Sequence, residues 1–291
     1  MKSMARQTTV GTKERRRLTN TAMNVLVYVA VGLALVPLIL IVADVITLGF
    51  PALSVPFLTG LPQGYLLGGI ANAIQGSAVM VALGAAIAVP VGVGAGIYFS
   101  EWPESRISFL SSFTNDVLAE FPTITLGIFV YIIIVAPTRT FSAFAGAVAL
   151  SIVMLPIVAR TTEESLKIVP VSLREASLAL GVPRWKTILR IVIGTGKSGL
   201  ATGILLAVAR AAGETAPLIL TALYSNYFIT SLFQPAGSLP YLIYYDGGSG
   251  FLALQTAAWG AALVLVAFML VLNLSVKFFI GRRFAGVRAE I

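Results

Sequence analysis

Long uncharged stretches alternate with short polar segments along this chain. The two longest stretches without a charged side chain are residues 45–100 and 215–245. A helix needs about 20 mostly apolar residues to cross a bilayer, and several segments approach or exceed that length. The pattern predicts an all-α integral membrane protein with six transmembrane helices, at residues 22–43, 68–99, 117–136, 141–159, 198–223 and 251–276.

Glycine, proline and charge interrupt this apolar pattern at several places. Residues 49–67 contain so many helix breakers that they are predicted to form a loop. Residues 120–122, Glu-Phe-Pro, interrupt the third span near its start, and Pro217 is expected to kink the fifth. Residues 101–116 are interpreted as a short polar connection. The aromatic segment 224–250 is predicted on the outer side, where it either contacts an external protein or re-enters the membrane.

Composition supports the membrane assignment and excludes several kinds of chemistry. Hydrophobic residues make up 57% of the chain and charged residues 11%, against about 25% charged residues in soluble domains. The chain has neither histidine nor cysteine. A disulfide, a histidine-based catalytic triad and the usual zinc sites are therefore excluded, and the sequence offers no catalytic or metal-binding residues.

Positive charges are distributed unevenly between the two sides of the predicted topology. The N-terminal tail carries six Lys or Arg, the 100–116 connection one, the 160–197 segment seven and the segment after the sixth span, residues 277–291, four. These segments all fall on one side, whereas Arg139 is the single cation predicted on the other. Because cytoplasmic loops carry an excess of Lys and Arg, both termini of this multi-pass protein are predicted to lie in the cytoplasm, beneath the cell (inner) membrane.

This topology divides the chain into three parts. Residues 1–21 form a cytoplasmic basic tail, residues 22–280 a transmembrane domain with a cytoplasmic loop at 160–197, and residues 281–291 a second cytoplasmic tail. The net charge of +8 is thus concentrated in the cytoplasmic segments. Such a distribution indicates membrane topology and not a nucleic-acid surface.

The fifth span contains two charged side chains of opposite sign. Arg210 and Glu214 are four residues apart, so they share one helical face and lie within reach of each other. Charged groups are costly at this depth and usually face a bundle interior or a watery path. Arginine also suits an oxyanion, because its planar fork can hold two oxygens. The pair is interpreted either as a functional site or as a neutral pair that only joins helices.

Glu120 is a further charged residue inside an apolar segment. It follows Asp116 closely, which places it near the cytoplasmic end of the third span. The favoured interpretation is a carboxylate that is partly hydrated at the membrane interface.

Residues 170–193 form a charged island between the fourth and fifth spans. Ser172 and Glu175 have the spacing of a capping box, in which each side chain bonds a free backbone N–H at a helix start. The pattern predicts a short helix at about residues 173–180, followed by a left-handed turn at Gly181. A second helix should follow Pro183, and its basic residues are Arg184, Lys186 and Arg190. On charge alone, such an island is a solvated loop between spans.

The sequence GTGKS at residues 194–198 contains part of a nucleotide-binding P-loop. The complete motif requires another glycine five places before Gly196, and Ile191 occupies that position. The pattern also predicts no soluble α/β domain that could supply the preceding strand. The chain is therefore expected to bind no ATP itself, and Lys197 is interpreted as a cytoplasmic anchor.

The island has the spacing of a transporter motif. Residues 175–177, Glu-Ala-Ser, are followed after three residues by Gly181 and after nine more by Ile191. This pattern resembles the E-A-A-x3-G-x9-I-x-L-P docking loop of the inner-membrane permeases of bacterial ABC importers, except at Ser177 and at residues 193–194. The resemblance implies a type I importer permease with a cytoplasmic coupling helix that docks on an ATPase. The residues assigned to this coupling are Glu175, Ala176 and Gly181.

Three further segments resemble one family of these permeases. GGIANAI at residues 68–74, EFPTITLGIFVY at 120–131 and ARAAGETAPLILTAL at 209–223 are similar to phosphate permeases of the PstA type. The resemblance implies transport of inorganic phosphate that an external binding protein delivers. It also implies a second permease of similar fold and two ATPase subunits, which would bind ATP and Mg²⁺, so that this chain needs no cofactor. The implied substrate pathway contains Arg210, Glu214 and Thr215.

Other functions are compatible with parts of the pattern. Arg210 suits molybdate, sulfate or phosphonate as well as phosphate, so an ABC permease for another oxyanion is one alternative. A carrier driven by an ion gradient could use Arg210, Glu214 and Glu120 as a relay without an ATPase, although the spacing of the island argues against it. A purely structural membrane anchor would leave the costly charges in the spans unexplained.

Overall fold

The computed structural model describes residues 2–285 of the chain, with side chains described for residues 15–274. The predicted C-terminal tail, 281–291, therefore lies partly outside the described residues. Short π-helical stretches lie inside two of the helices, at Tyr131–Val135 and Thr187–Val192. The main helices are α1 (Lys2–Gly49), α2 (Ala71–Glu101), α3 (Arg106–Glu120), α4 (Thr123–Thr138), α5 (Ala143–Lys167), α6 (Val171–Ala179), α7 (Arg184–Ala212), α8 (Ala216–Thr221), α9 (Leu239–Gly247) and α10 (Leu252–Ala285).

Five of the described helices, namely α1, α2, α5, α7 and α10, contain segments long and apolar enough to cross a membrane. The helices α3 and α4 together would make a sixth span, but the chain bends by 106° between them. The interruption predicted at residues 120–122 is thus confirmed, because Pro122 cannot continue α3. The polar connection predicted at 101–116 is wrong. Most of it belongs to α3, since Ile107 and Leu110 recur at helical spacing between its polar residues.

The centre of the bundle is the contact between α2 and α5. Glycines on α2 let the two backbones approach, since a Cβ at Gly84 would lie 2.9 Å from the carbonyl oxygen of Ala147. One at Gly92 would lie 2.8 Å from the Cβ of Val158. Small residues at helix crossings permit this close packing in membranes. Both contacts advance in the same direction along the two helices, so α2 and α5 run parallel.

The predicted fifth span, 198–223, is broken into two helices. The first, α7, starts as early as Arg184 and ends at Ala212. The second, α8, begins at Ala216 after a link that contains Gly213. Pro217 occupies the first turn of α8, where a proline is tolerated because the missing N–H needs no helical partner. The kink expected at Pro217 is therefore a complete break just before it.

The first helix stands apart from the bundle. None of the most apolar segment of α1 is buried. Its contact with α10 lies at its C-terminal end, where Gly49 approaches the backbone carbonyl of Trp259. The same helix begins at Lys2 and continues without a break through the rest of the predicted basic tail, residues 1–21. A span with so little burial leaves a long apolar surface for lipid or for another chain.

The segment 224–250 folds onto the N-terminal end of α2. The backbone N–H of Leu239 donates to Ser77 Oγ at 2.8 Å, and that of Ile229 donates to Gln75 Oε1 at 2.8 Å. Its helix α9 has nine residues, far fewer than the roughly 20 that a crossing needs. The segment is therefore an ordered cap on the bundle and does not span the membrane.

Asp246 is expected to make this cap more stable at acidic pH. Burial raises the pKa of its carboxyl to about 6, above the value of about 3.9 for an exposed Asp. At a pH between these two pKa values, the folded state binds more protons than the unfolded state. The free energy of unfolding therefore falls as the pH rises from about 4 to about 6, and it stays at the lower value above pH 6. Amide exchange of residues 224–250, corrected for intrinsic rates, should show stronger protection at about pH 5 than at about pH 7.5. Asp246→Asn should remove that difference, and an unchanged pH dependence in this variant would contradict the assignment.

Candidate functional site

Arg210 and Glu214 lie at the break between α7 and α8. Arg210 is in the last turn of α7, and Glu214 lies in the link that follows. The Nε atom of Arg210 is 3.7 Å from Oε1 of Glu214, which confirms that the two side chains pair. This separation is an ion pair without a direct hydrogen bond.

The packing of α7 against α5 sets the depth of this pair. Gly203 of α7 lies against Thr161 of α5, and contacts one turn earlier on α7 lie one turn later on α5. The two helices are therefore antiparallel. Continuing this register along α7 brings Arg210 level with Met154, close to the midpoint of Ala143–Lys167. The ion pair thus lies near the middle of the membrane-spanning bundle.

The two side chains of the pair differ in exposure. The side chain of Arg210 is 57% exposed and that of Glu214 is 15% exposed. Leu206, one turn before Arg210, is also exposed, whereas Ala207 and Ala211 are buried in the core. Arg210 therefore projects from the face of α7 that points away from the core. A cation at this depth is not stable against lipid, so this face must border another chain or a watery path.

Thr215 follows the pair directly in the chain, and Glu120 is the last residue of α3. The backbone carbonyl of Thr215 accepts from the N–H of Leu218 at 3.1 Å, while its hydroxyl makes no capping bond. Glu120 is exposed at the bend between α3 and α4, where it and Asp116 line an open cavity of about 460 Å³. Among the described side chains, no ion pair joins Glu120 to Arg210.

The charged island folds into the short helix that the sequence predicts. Helix α6 spans Val171–Ala179, and Gly181 follows it with a φ of +77°, in the left-handed region. The predicted capping box is wrong, because Pro170 is the N-cap residue and no side chain caps the helix. Ser172 lies two residues after the N-cap position, so its hydroxyl is too late in the chain to act as the cap.

The outward surface of α6 carries the residues assigned to coupling. Glu175 and Ala176 are both exposed, as are Leu178 and Leu180 beside them. Exposed apolar side chains in one place indicate a binding surface. The predicted basic helix is the first part of α7, which begins at Arg184 and continues to the turn that holds Arg210. The exposed surface of α6 is therefore joined to the charged pair through the Gly181 turn and one long helix.

Sequence reasoning missed the contacts that hold α6 in place. Arg174 of α6 pairs with Glu101 of α2 at 3.1 Å. The hydroxyls of Ser177 and Thr187 lie 2.9 Å apart, which joins α6 to α7. Ser177 is one of the residues that depart from the transporter motif, and its buried hydroxyl is paired with that of Thr187. Glu101 is too distant in sequence from Arg174 for any local spacing to reveal that pair.

Comparison with known proteins agrees with this architecture. The family model described as "Binding-protein-dependent transport system inner membrane component" matches residues 88–284. The phosphate transport system permease protein PstA of Xylella fastidiosa (strain Temecula1) is 42% identical over 267 residues, which cover 91% of this chain and 93% of that protein. The PstA protein of Haemophilus influenzae is 41% identical over 266 residues, which cover 91% of this chain and 94% of that protein. PstA 1 of Mycobacterium tuberculosis (strain H37Rv) is 39% identical over 284 residues, which cover 92% of this chain and 91% of that protein.

A solved structure shares the fold. One chain of the inward-facing MetNI methionine ABC transporter superposes with a TM-score of 0.61, at 17% identity, over 73% of this chain and 96% of that chain. At this identity the likeness concerns the fold alone. The fold is that of a type I ABC importer permease.

Proposed function

The chain belongs to the binding-protein-dependent transport system inner membrane components, and from this premise we propose that it is the permease subunit of an ATP-driven importer of inorganic phosphate. The observation that carries the proposal is its similarity, over nearly the whole length, to phosphate transport permeases from several bacteria. It is a transport subunit and not an enzyme, since ATP hydrolysis in such importers belongs to a separate subunit.

Arg210 is the residue best suited to contact phosphate on its way through the bundle. It lies near mid-membrane, projects away from the core and is paired with Glu214 by an ion pair of 3.7 Å. A guanidinium fork matches two oxygens of a phosphate. Because Glu214 competes for the same cation, the contact with phosphate is weak and brief, as a transport pathway requires. Thr215, next to Glu214, lies on the same pathway.

A second permease of similar fold would cover the exposed face of α7. The argument is the cost of a mid-membrane cation that faces lipid, which a partner chain or a watery path between two chains removes. The bare surface of α1 offers a further contact area. The substrate pathway would then run between the two permeases, along the face that carries Arg210.

The remaining partners follow from the same assignment. Two ATPase subunits would bind ATP and Mg²⁺, and one of them would dock on the exposed surface of α6 around Glu175 and Ala176. An external phosphate-binding protein would deliver the substrate to the side of the 224–250 cap. Both termini would lie in the cytoplasm, on the side where Lys and Arg are concentrated.

Substrate competition in reconstituted vesicles tests the proposal. Vesicles that hold the complete importer, supplied with the binding protein and ATP, should take up radiolabelled phosphate. Excess unlabelled phosphate should suppress this uptake, whereas sulfate, molybdate and phosphonate should not. Stronger suppression by one of these anions would assign that substrate instead. Uptake that follows an ion gradient without ATP would reject the importer assignment.

A further inference from the structure

Glu101 is the last residue of α2, and its side chain is buried against the charged island. Its carboxylate is 6% exposed, and the side chain of its partner Arg174 on α6 is 18% exposed. Nη2 and Nε of Arg174 both lie 3.1 Å from Oε1 of Glu101. Hydrogen bonds between charged groups are stronger than neutral ones, and a buried charge is strongly disfavoured without its partner. The two helices are therefore held firmly together at this point.

Arg174 also bonds the end of α5. Its Nη1 donates to the carbonyl oxygen of Val169 at 2.5 Å, and its Nη2 donates to that of Leu166 at 2.9 Å. The last carbonyls of a helix lack partners within the helix, so a cation is well placed there. One guanidinium thus ties α6 to both α5 and α2.

A second arginine reaches the same end of α2 from the other side of the Gly181 turn. Nη2 of Arg184, at the start of α7, donates to the backbone carbonyl of Glu101 at 2.7 Å. Its guanidinium carbon lies 4.7 Å from the centre of the Trp102 ring. A cation over an aromatic face is attracted to the ring. The end of α2 therefore receives contacts from both helices that flank the turn.

We propose that Glu101 is a positioning residue that links the coupling helix α6 to α2, so that movement of the docked ATPase reaches α2 directly. This inference rests on the proposed function, in which α6 docks on an ATPase. Because α2 packs closely along α5, movement received at Glu101 carries both helices as one body. Without this link, α6 would keep its contacts with α5 through Arg174 and with α7 through Ser177, but it would lose its ion pair with α2.

Coupling measurements in the complete importer test the role of Glu101. In vesicles that contain Glu101→Gln, phosphate uptake per ATP hydrolysed should fall by about tenfold or more, while ATP hydrolysis itself continues, because the neutral amide leaves Arg174 without its counter-charge. Arg174→Lys keeps the charge but loses the planar fork, so it should lower the same ratio by a smaller factor. Glu104→Gln, which changes an exposed carboxylate nearby, is the matched control and should leave the ratio unchanged.

A distance measurement tests whether Glu101 holds α6 on α2, and its result does not depend on which substrate is transported. The chain has no cysteine, so spin labels attach only at introduced ones. Suitable positions are Gly94→Cys on α2, where nothing lies within 4 Å of an added Cβ, and Ala179→Cys on the exposed side of α6. The distribution of distances between the two labels should be narrow, and its mean should be equal in the nucleotide-free and the ATP-trapped importer. In the importer that also carries Glu101→Gln, this distribution should broaden.

The outcomes separate this inference from the proposed function. A distribution that stays narrow in Glu101→Gln, or a ratio of uptake to hydrolysis that stays normal, overturns the role of Glu101. If the unmodified importer moves no phosphate, the proposed substrate is wrong, but the label distances still decide whether Glu101 holds α6 on α2. If the importer that carries Glu101→Gln fails to assemble, the same two measurements are made on the importer that carries Arg174→Lys.

Discussion

Arg210→Gln should lower phosphate uptake at least tenfold while the importer still assembles. Glutamine can donate hydrogen bonds but lacks the charge and the planar fork that hold an anion. Loss of a charge-assisted contact worth about 1.5–3 kcal/mol corresponds to a fall of roughly 10- to 100-fold in uptake. Assembly should survive because the exposed side chain of Arg210 contributes nothing to the buried core of this chain. Initial uptake rates in vesicles and co-purification of the subunits measure the two effects.

Variants of Glu214 distinguish an anion contact from a gate. If Arg210 contacts phosphate, Glu214→Gln should keep more uptake than Arg210→Gln, because the cation remains. If the ion pair acts only as a gate, the two single variants should lose uptake equally. Arg106→Gln removes the same charge from an exposed position and serves as the control. Normal transport by the double variant Arg210→Gln, Glu214→Gln would exclude both roles.

Gly181→Val is expected to uncouple ATP hydrolysis from uptake without preventing membrane insertion. Gly181 has a φ of +77°, and the left-handed conformation costs an L-residue about 1–2 kcal/mol, with more for a β-branched one. The turn would relax towards another conformation and shift α6 relative to α7. Insertion should be unaffected because the turn lies outside the spanning helices. Glu175→Lys should uncouple in the same way by reversing an exposed charge on the docking surface.

Two further glycine variants show whether the backbone conformation is the cause. Gly181→Asn should retain most coupling, because asparagine tolerates the left-handed region. Gly194→Val adds the same side chain in α7, where an added Cβ meets nothing within 4 Å, and should leave coupling intact. Equal coupling in Gly181→Val and the unmodified importer would show that the turn is not needed to hold α6. The measurement in each case is uptake per ATP hydrolysed.

Most of the spans were predictable because a helix that crosses a bilayer needs about 20 mostly apolar residues. The prediction at 68–99 matches Ala71–Glu101, and that at 251–276 lies almost entirely within Leu252–Ala285. Helix α3 was missed because its polar residues resemble those of a loop, and the 106° bend that follows depends on packing. The sequence predicts a kink of the fifth span at Pro217, whereas the helix already ends at Ala212, before Gly213.

The candidate site was predictable where its geometry is local. Arg210 and Glu214 are one helical turn apart, so sequence spacing alone predicts that they pair. The pairing of Arg174 with Glu101 joins residues 73 positions apart, and only the packing of α6 against α2 brings them together. The capping box at Ser172 failed for a different reason, because Pro170 starts the helix before the serine could cap it.

The break after Ala212 also places the negative end of a helix dipole in the middle of the membrane. The carbonyls at the end of α7 carry a partial negative charge equivalent to about half an electron, next to the guanidinium of Arg210 in the last turn. This partial negative charge weakens the pull of the guanidinium on an anion. In the proposed pathway, phosphate would therefore be held only weakly at Arg210 and released readily.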